Sequence, residues 1–166
     1  MASRRPRVAV DTCVLLNVLI NGANDDPGWL PRSRWVLDEH RRTHEVVLPA
    51  LVLAELGGAP HVRGNHIESS ERKRRVHAVH NWIRENRFVI IDIDERVGIE
   101  ASLLAPRWQL SGSDAAILAA VKLWEIPTLY TWDSGLLKVG DQIPGVSVVE
   151  PQIPTAPARQ ADFFQQ

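Results

Sequence analysis

The chain has 166 residues, with 19 Lys and Arg against 20 Asp and Glu, so its formal net charge is −1. Hydrophobic residues make up 45% and charged residues 23%, values typical of one globular α/β domain, and the length leaves little room for a second. The charge balance excludes a histone-like nucleic-acid binder, although it allows a local basic patch.

The single cysteine, Cys13, excludes an internal disulfide and a zinc site built from several cysteines. No apolar run reaches about 18 residues, so no transmembrane helix is expected. Arginines precede an apolar stretch near the N-terminus, as in a secretory signal, but Asp11 and Asn17 interrupt that stretch. We therefore expect a cytoplasmic protein.

Apolar β-branched runs alternate along the chain with segments of helical spacing. The predicted strands cover residues 7–10, 45–48, 88–91, 128–131 and 147–149. The predicted helices cover residues 12–20, 31–42, 49–56, 69–87, 95–104 and 114–124, with loops at 21–28 and 59–67. This alternation predicts one α/β domain over residues 1–150, with a central, mainly parallel sheet and helices on both faces. Residues 151–166 are predicted to form a Pro-containing tail.

Four carboxylates are expected near one edge of this sheet, because parallel strands end at a shared edge where ligands bind. Asp11 follows the first strand, and Asp133 follows the fourth. Glu55 lies in the short helix after the second strand, and Asp114 begins the helix that leads to the fourth strand.

Three of these acids also have a purely structural interpretation. Asp11 could cap the helix that follows it, and Asp133 could cap a short helix or form an Asx-turn. Asp114 could complement the dipole of its helix. Glu55 is harder to explain in this way, because it lies among Leu and Val residues with no basic residue nearby in the sequence. An ionised carboxylate in such surroundings is costly unless it is paired or binds a metal.

Clustered carboxylates repel one another, so some of them take up protons unless a cation relieves the repulsion. A site made only of oxygen ligands suits Mg²⁺ or Mn²⁺ rather than zinc. Such an ion lowers the pKa of a bound water and stabilises charge on a phosphate that is being displaced.

Four short motifs occur in order along the chain, and together they are more specific than any one of them. They are Val10-Asp11-Thr12, Leu48-Pro49 through Ala54-Glu55-Leu56, Ser113-Asp114-Ala115-Ala116-Ile117-Leu118-Ala119 and Thr131-Trp132-Asp133. The series, spread over residues 8–150, resembles the PIN-domain nucleases and, within them, the VapC-type toxins of bacterial toxin–antitoxin pairs.

The resemblance implies a three-layer α/β/α domain and an endoribonuclease that depends on Mg²⁺ or Mn²⁺. The implied catalytic and metal-binding residues are Asp11, Glu55, Asp114 and Asp133. Thr131 would lie beside the site, and Thr12 and Ser113 would support the acids. The resemblance also implies an RNA substrate, a cognate antitoxin and a homodimer.

Two positions depart from the family pattern. The family often has Asn or Ser two residues after the first acid, where this chain has Cys13. It often has Asn before the last acid, where this chain has Trp132. Neither change removes a carboxylate. Cys13 is more simply a small buried residue than a nucleophile, and Trp132 could stack on an RNA base.

The densest basic run, residues 72–75, allows three interpretations. It could contact RNA phosphates, form a solvated helix face balanced by Glu68 and Glu71, or belong to a helical pair used in dimers or antitoxin binding, as in similar toxins. His77 and His80 are expected on the surface, and Asp94 is expected to cap a helix.

Three other functions remain as alternatives. A stand-alone PIN-like RNA-processing nuclease would have no antitoxin, and a non-catalytic PIN-like RNA-binding module would need no divalent ion. A haloacid-dehalogenase-type phosphatase is suggested by Asp11 after a strand, but its chemistry needs a second Asp where Cys13 stands.

Overall fold

The computed structural model describes residues 5–22, 26–64 and 66–154. Its strands are β1 (Arg7–Val10), β2 (Glu45–Pro49), β3 (Val89–Ile91), β4 (Thr128–Tyr130) and β5 (Ser147–Val149). Its helices are α1 (Thr12–Leu19), α2 (Trp29–Asp38), α3 (Ala50–Gly58), α4 (Pro60–Arg63), α5 (Ser69–Asn86), α6 (Glu95–Trp108), α7 (Gly112–Leu123) and α8 (Ser134–Leu137). The alternation of strands and helices agrees with the prediction.

All five strands form one sheet in the order β3-β2-β1-β4-β5, and every neighbouring pair is parallel. Central strand β1 pairs with β2 on one side and with β4 on the other. Parallel sheets are covered on both faces, so their strands consist of nearly continuous apolar residues. Val46, Val47 and Leu48 of β2 are accordingly completely buried. The predicted three-layer α/β architecture is confirmed.

The strand order determines where a ligand site can form. The chain moves outward from β1 through β2 to β3, and then returns to β4 on the other side of β1. The order therefore reverses between β1 and β4, and a crevice opens there at the carboxyl ends of the strands. Asp11 and Asp133 lie just after β1 and β4, and thus beside this crevice.

Helix α7 is buried along most of its length, because its residues from Ala115 to Val121 are all apolar. It packs along α6 and contacts α3, β2 and β4. Its N-terminal turn, which carries Asp114, is only partly buried. The helix therefore anchors a surface carboxylate to the core.

Several predicted boundaries were wrong. Helix α2 begins two residues before the predicted start and ends at Asp38, because the chain reverses at Arg41 (φ 64°) before β2. Helix α6 continues four residues beyond the prediction, since Pro106 lies in its last turn and the helix ends only at Gln109, which has a left-handed conformation. The predicted loop 59–67 contains α4, which begins with Pro60 at its first position.

Residues 155–166, most of the predicted tail, lie outside the described residues. The division into a domain over 1–150 and a tail therefore stays a prediction. In the described ranges, no helix combines the length and hydropathy that crossing a membrane requires.

Candidate active site

The four carboxylates predicted from the sequence line a single open pocket with a volume of about 480 Å³. It lies at the carboxyl edge of the sheet, where the strand order reverses. Its wall is completed by Thr12, Cys13, Leu16, Gly58, Ala59 and Pro60. The fold thus brings together acids that are as far apart in the sequence as Asp11 and Asp133.

Asp11 is the most buried of the four acids, with 5% of its surface exposed. Its Oδ1 accepts a hydrogen bond from the Thr12 amide at 2.7 Å. Its Oδ2 accepts from Thr131 Oγ1 at 2.7 Å and from Cys13 Sγ at 3.0 Å. Burial raises the pKa of Asp11, and the nearby Glu55 carboxylate raises it further. The three hydrogen-bond donors act in the opposite direction, because they favour the ionised form.

Thr131 links Asp11 to Asp133. The Thr131 hydroxyl is fully buried and, besides donating to Asp11, accepts a hydrogen bond from the Asp133 amide at 2.9 Å. The Asp133 carboxylate is exposed, and its Oδ1 accepts from the Leu136 amide at 2.8 Å. Asp133 therefore caps α8 and lines the pocket at the same time.

Glu55 is half-buried rather than enclosed by apolar side chains. The Thr12 hydroxyl of α1 donates a hydrogen bond to Glu55 Oε2. The partner that the local sequence lacked is therefore a neutral hydroxyl from another helix, which lies beside Glu55 in the pocket wall.

Ser111 caps α7 and contacts Asp114. Its Oγ accepts from the Asp114 amide at 3.1 Å and donates to Asp114 Oδ2 at 2.6 Å. Ser113, the expected supporting residue, instead has its hydroxyl 3.0 Å from that of Ser111. Ser111 was not among the predicted site residues, although Ser-x-x-Asp before an apolar run is a capping-box signature.

Cys13 is a hydrogen-bonding residue of the site. Its Sγ donates to Asp11 and accepts from the Trp132 amide at 3.1 Å. Burial and the adjacent Asp11 charge raise the pKa of the Cys13 thiol well above its usual value. The thiol is therefore neutral at physiological pH, which agrees with the prediction that it is not a nucleophile.

Trp132 is not available to stack on an RNA base, so that expectation was wrong. Only 6% of its surface is exposed, and its ring stacks on Trp29 with centroids 4.7 Å apart. Its Nε1 donates to Ser33 Oγ at 2.9 Å, and the Arg32 guanidinium lies 4.4 Å from its ring centroid. These contacts all come from α2, which contains Trp29, Arg32 and Ser33. The sequence did not indicate that α2 holds Trp132 in place.

The sequence model of the PIN domain matches residues 8–142. This chain belongs to the PIN domain family. The match spans all four motifs and the strands from β1 to β4, apart from Arg7 at the start of β1.

The fold of this PIN domain is similar to that of several solved structures. A toxin–antitoxin complex from Klebsiella pneumoniae is 19% identical over 87% of this chain and 98% of that chain, with a TM-score of 0.60. FitAcB from Neisseria gonorrhoeae is 21% identical over 87% and 97%, with a TM-score of 0.59. VapC20 from Mycobacterium tuberculosis, described as a sarcin-ricin loop cleaving toxin, is 17% identical over 76% and 90%, with a TM-score of 0.56. No curated protein matches the sequence.

The carboxylates of this PIN domain suit a hard divalent cation by their chemistry, because all their donor atoms are oxygens. As they are oriented, however, no three His, Cys, Asp or Glu side chains in the described ranges are grouped closely enough to hold a metal ion. Asp133 is exposed, and Glu55 and Asp114 are half-buried, whereas Asp11 is buried.

The remaining sequence candidates lie outside the pocket. Asp94 caps α6, as predicted, by accepting from the Val97 amide at 3.0 Å. Arg74 and Arg75 of the basic run both bind Glu71. These contacts favour the solvated-face interpretation for that part of the run.

Proposed function

We propose that this PIN domain is a metal-dependent endoribonuclease that hydrolyses RNA phosphodiester bonds. The observation that carries the proposal is the single open pocket shared by Asp11, Glu55, Asp114 and Asp133. These carboxylates are proposed to bind Mg²⁺ or Mn²⁺, and Thr131, Thr12 and Ser111 to support them. The description of the structurally similar VapC20 as a loop-cleaving toxin is compatible with this activity.

A bound divalent ion would supply an activated water and would stabilise charge on the phosphate during displacement of the leaving oxygen. The protein's own contribution begins with Asp11, which three hydrogen-bond donors hold in one orientation. Those donors favour its ionised form, which is the form that binds a cation. One of the less buried acids, Glu55, Asp114 or Asp133, then orients the attacking water or accepts its proton.

We further propose that the protein acts as a toxin with a cognate antitoxin and forms a homodimer. The Klebsiella and Neisseria structures named above are a toxin–antitoxin complex and FitAcB, which supports this assignment only at the level of fold. An antitoxin that supplied an arginine to the pocket would neutralise the carboxylates and occupy the position of the cation. A short upstream reading frame encoding a DNA-binding protein would support this proposal, and a gene that stands alone would contradict it.

The nuclease assignment is tested with Asp11→Asn and Asp114→Asn, each of which removes one charge from the pocket. Each variant is incubated with Mg²⁺ and a defined RNA pool, and the ends of the cleavage products are mapped. We expect the cleavage rate of each variant to be at least about 100-fold lower than that of the parent. Asp94→Asn is the matched control, because Asp94 caps α6 outside the pocket. The assignment fails if the two pocket variants cut RNA as fast as the parent.

A non-catalytic RNA-binding module is the second candidate, and the separation of the carboxylates favours it. Titration with Mn²⁺ by calorimetry separates the two candidates. A nuclease takes up the ion and loses that uptake in Asp11→Asn, whereas a pure binding module takes up none.

A further inference from the structure

Positive charge is concentrated in one part of the chain. Residues 60–87 contain seven Lys and Arg and three Glu, while the rest of the chain has 12 Lys and Arg against 17 Asp and Glu. This segment comprises α4 and α5, and α4 begins at Pro60, which lines the acidic pocket. A net positive surface therefore adjoins a site whose own carboxylates repel RNA phosphates.

Four exposed residues of α5 form a row that we call the α5 stripe: Lys73, His77, His80 and Arg84. They follow one another at intervals of four, three and four residues, so they lie on one side of the helix over about 16 Å. None of the four side chains makes a hydrogen bond or ion pair with another residue that the structure describes.

The arginines next to the α5 stripe differ in this respect. Arg74 and Arg75 bind Glu71, and Arg72 donates to the Ile67 carbonyl. The three arginines of the densest basic run are therefore already bound within the protein, whereas Lys73 of the same run and the rest of the α5 stripe keep their side-chain donors for another molecule.

A small apolar cavity, which we call the edge slot, opens beside the stripe. It has a volume of about 220 Å³ and is lined by Leu53, His80, Ile83, Arg84 and Ile90. Ile90 belongs to β3, the outer strand of the sheet on this side, and is 41% exposed. Two residues of the stripe thus form part of an apolar recess that can take a flat ring.

We propose that the α5 stripe and the edge slot together form a docking surface for single-stranded RNA. Lys73 and Arg84 bind backbone phosphates, and the imidazole N–H groups of His77 and His80 donate to phosphate or ribose oxygens. One unstacked base enters the edge slot, between its aliphatic wall and the Arg84 and His80 side chains. This inference rests on the proposed function, since it names where the RNA substrate is held.

The position of the surface relative to the acids supports this arrangement. Leu53 lines the edge slot and Glu55 lines the acidic pocket, and both belong to α3. Residues two positions apart point to opposite sides of a helix, so the slot and the pocket are separated by about one helix diameter, ~10 Å. A strand of a few nucleotides can therefore be bound at the stripe while a bond farther along it reaches the carboxylates.

The stripe is tested by the binding of a fluorescent single-stranded RNA to the full chain in EDTA, where no metal-dependent cleavage occurs. We expect Lys73→Ser/Arg84→Ser to weaken binding about tenfold or more and to lower the slope of log K against log salt by about 1.4, which corresponds to two lost phosphate contacts. The matched control is Arg74→Ser/Arg75→Ser, which changes the net charge equally but removes residues already bound to Glu71. Equal losses in the two double variants, or no loss in the stripe variant, overturn the proposal.

The edge slot is tested separately with Ile90→Trp, which fills it from an exposed position on the outer strand. We expect single-stranded RNA to bind about tenfold more weakly with an unchanged salt slope, because a stacked base is lost while the phosphate contacts remain. If Ile90→Trp binds the RNA with unchanged affinity, the proposal that a base occupies the edge slot is contradicted. These binding measurements do not depend on cleavage. If the protein binds RNA through the α5 stripe but cleaves none, the docking surface is supported and the nuclease assignment is contradicted.

Discussion

Asp11 is a buried carboxylate whose immediate neighbours are hydrogen-bond donors. Burial raises its pKa, while Thr131, Cys13 and the Thr12 amide favour the ionised form. Without a cation, ionisation of Asp11 weakens the folded state, because a carboxyl whose pKa is raised on folding contributes most to stability at low pH and loses that contribution as the pH rises through its folded pKa. Under the proposed function, binding of a divalent ion at Asp11 would offset this cost.

At the residue scale, metal uptake is expected to depend on the ionisation of Asp11. As the pH falls through the raised pKa, the carboxyl becomes neutral, so Mn²⁺ affinity should decline at a higher pH than an ordinary aspartate would require. Thr131→Val removes one donor to the ionised form and should move this midpoint to still higher pH. Calorimetric titrations at a series of pH values measure both midpoints. A midpoint that does not move in Thr131→Val would contradict the role of this hydrogen bond.

At the element scale, α7 shows how a helix terminus positions a site residue. Ser111 closes the first turn of the helix and, through the same hydroxyl, holds the Asp114 carboxylate. A cap and a contact to a pocket acid are thus combined in one side chain.

Ser111→Ala is expected to remove both contributions. Loss of the cap should lower the free energy of unfolding by about 1 kcal/mol and the melting temperature by about 2–4 °C. Loss of the contact to Asp114 should reduce Mn²⁺ affinity and RNA cleavage by about tenfold. Urea unfolding and calorimetry measure the two effects, with Ser113→Ala as the control. If Ser113→Ala has the larger effect, the hydroxyl that matters has been misassigned.

Much of the element order follows directly from the sequence, and the exceptions have identifiable causes. Strands such as β2 are continuous apolar runs, so their position and parallel pairing are predictable. The contact from Trp132 to Ser33 joins residues 99 positions apart, and no local pattern indicates it. The location of the four acids at one edge of the sheet is predictable from where the strands end. The distances between their carboxylates depend on hydroxyl partners such as Thr12, which reaches Glu55 only because α1 and α3 pack together.

At the scale of the whole molecule, the pocket is lined by residues from distant parts of the chain that share one core, so a bound cation should stabilise the entire fold. At a Mn²⁺ concentration about 100 times the dissociation constant, the free energy of unfolding should rise by about 2.7 kcal/mol. For a domain of this size the melting temperature should rise by about 5–10 °C. Thermal melts with and without Mn²⁺ measure the shift, and Asp11→Asn should abolish it. An equal shift in that variant would place the ion elsewhere.

Because the strand order reverses between β1 and β4, the pocket carboxylates come from both halves of the chain. Asp11 and Glu55 precede the connection between α4 and α5, and Asp114 and Asp133 follow it. A single backbone break in that connection would leave two carboxylates on each fragment, and neither fragment alone could assemble the pocket. RNA cleavage is then expected only when the two pieces reassociate through the pairing of β1 with β4 and of β2 with β3, which makes the protein a candidate for fragment complementation.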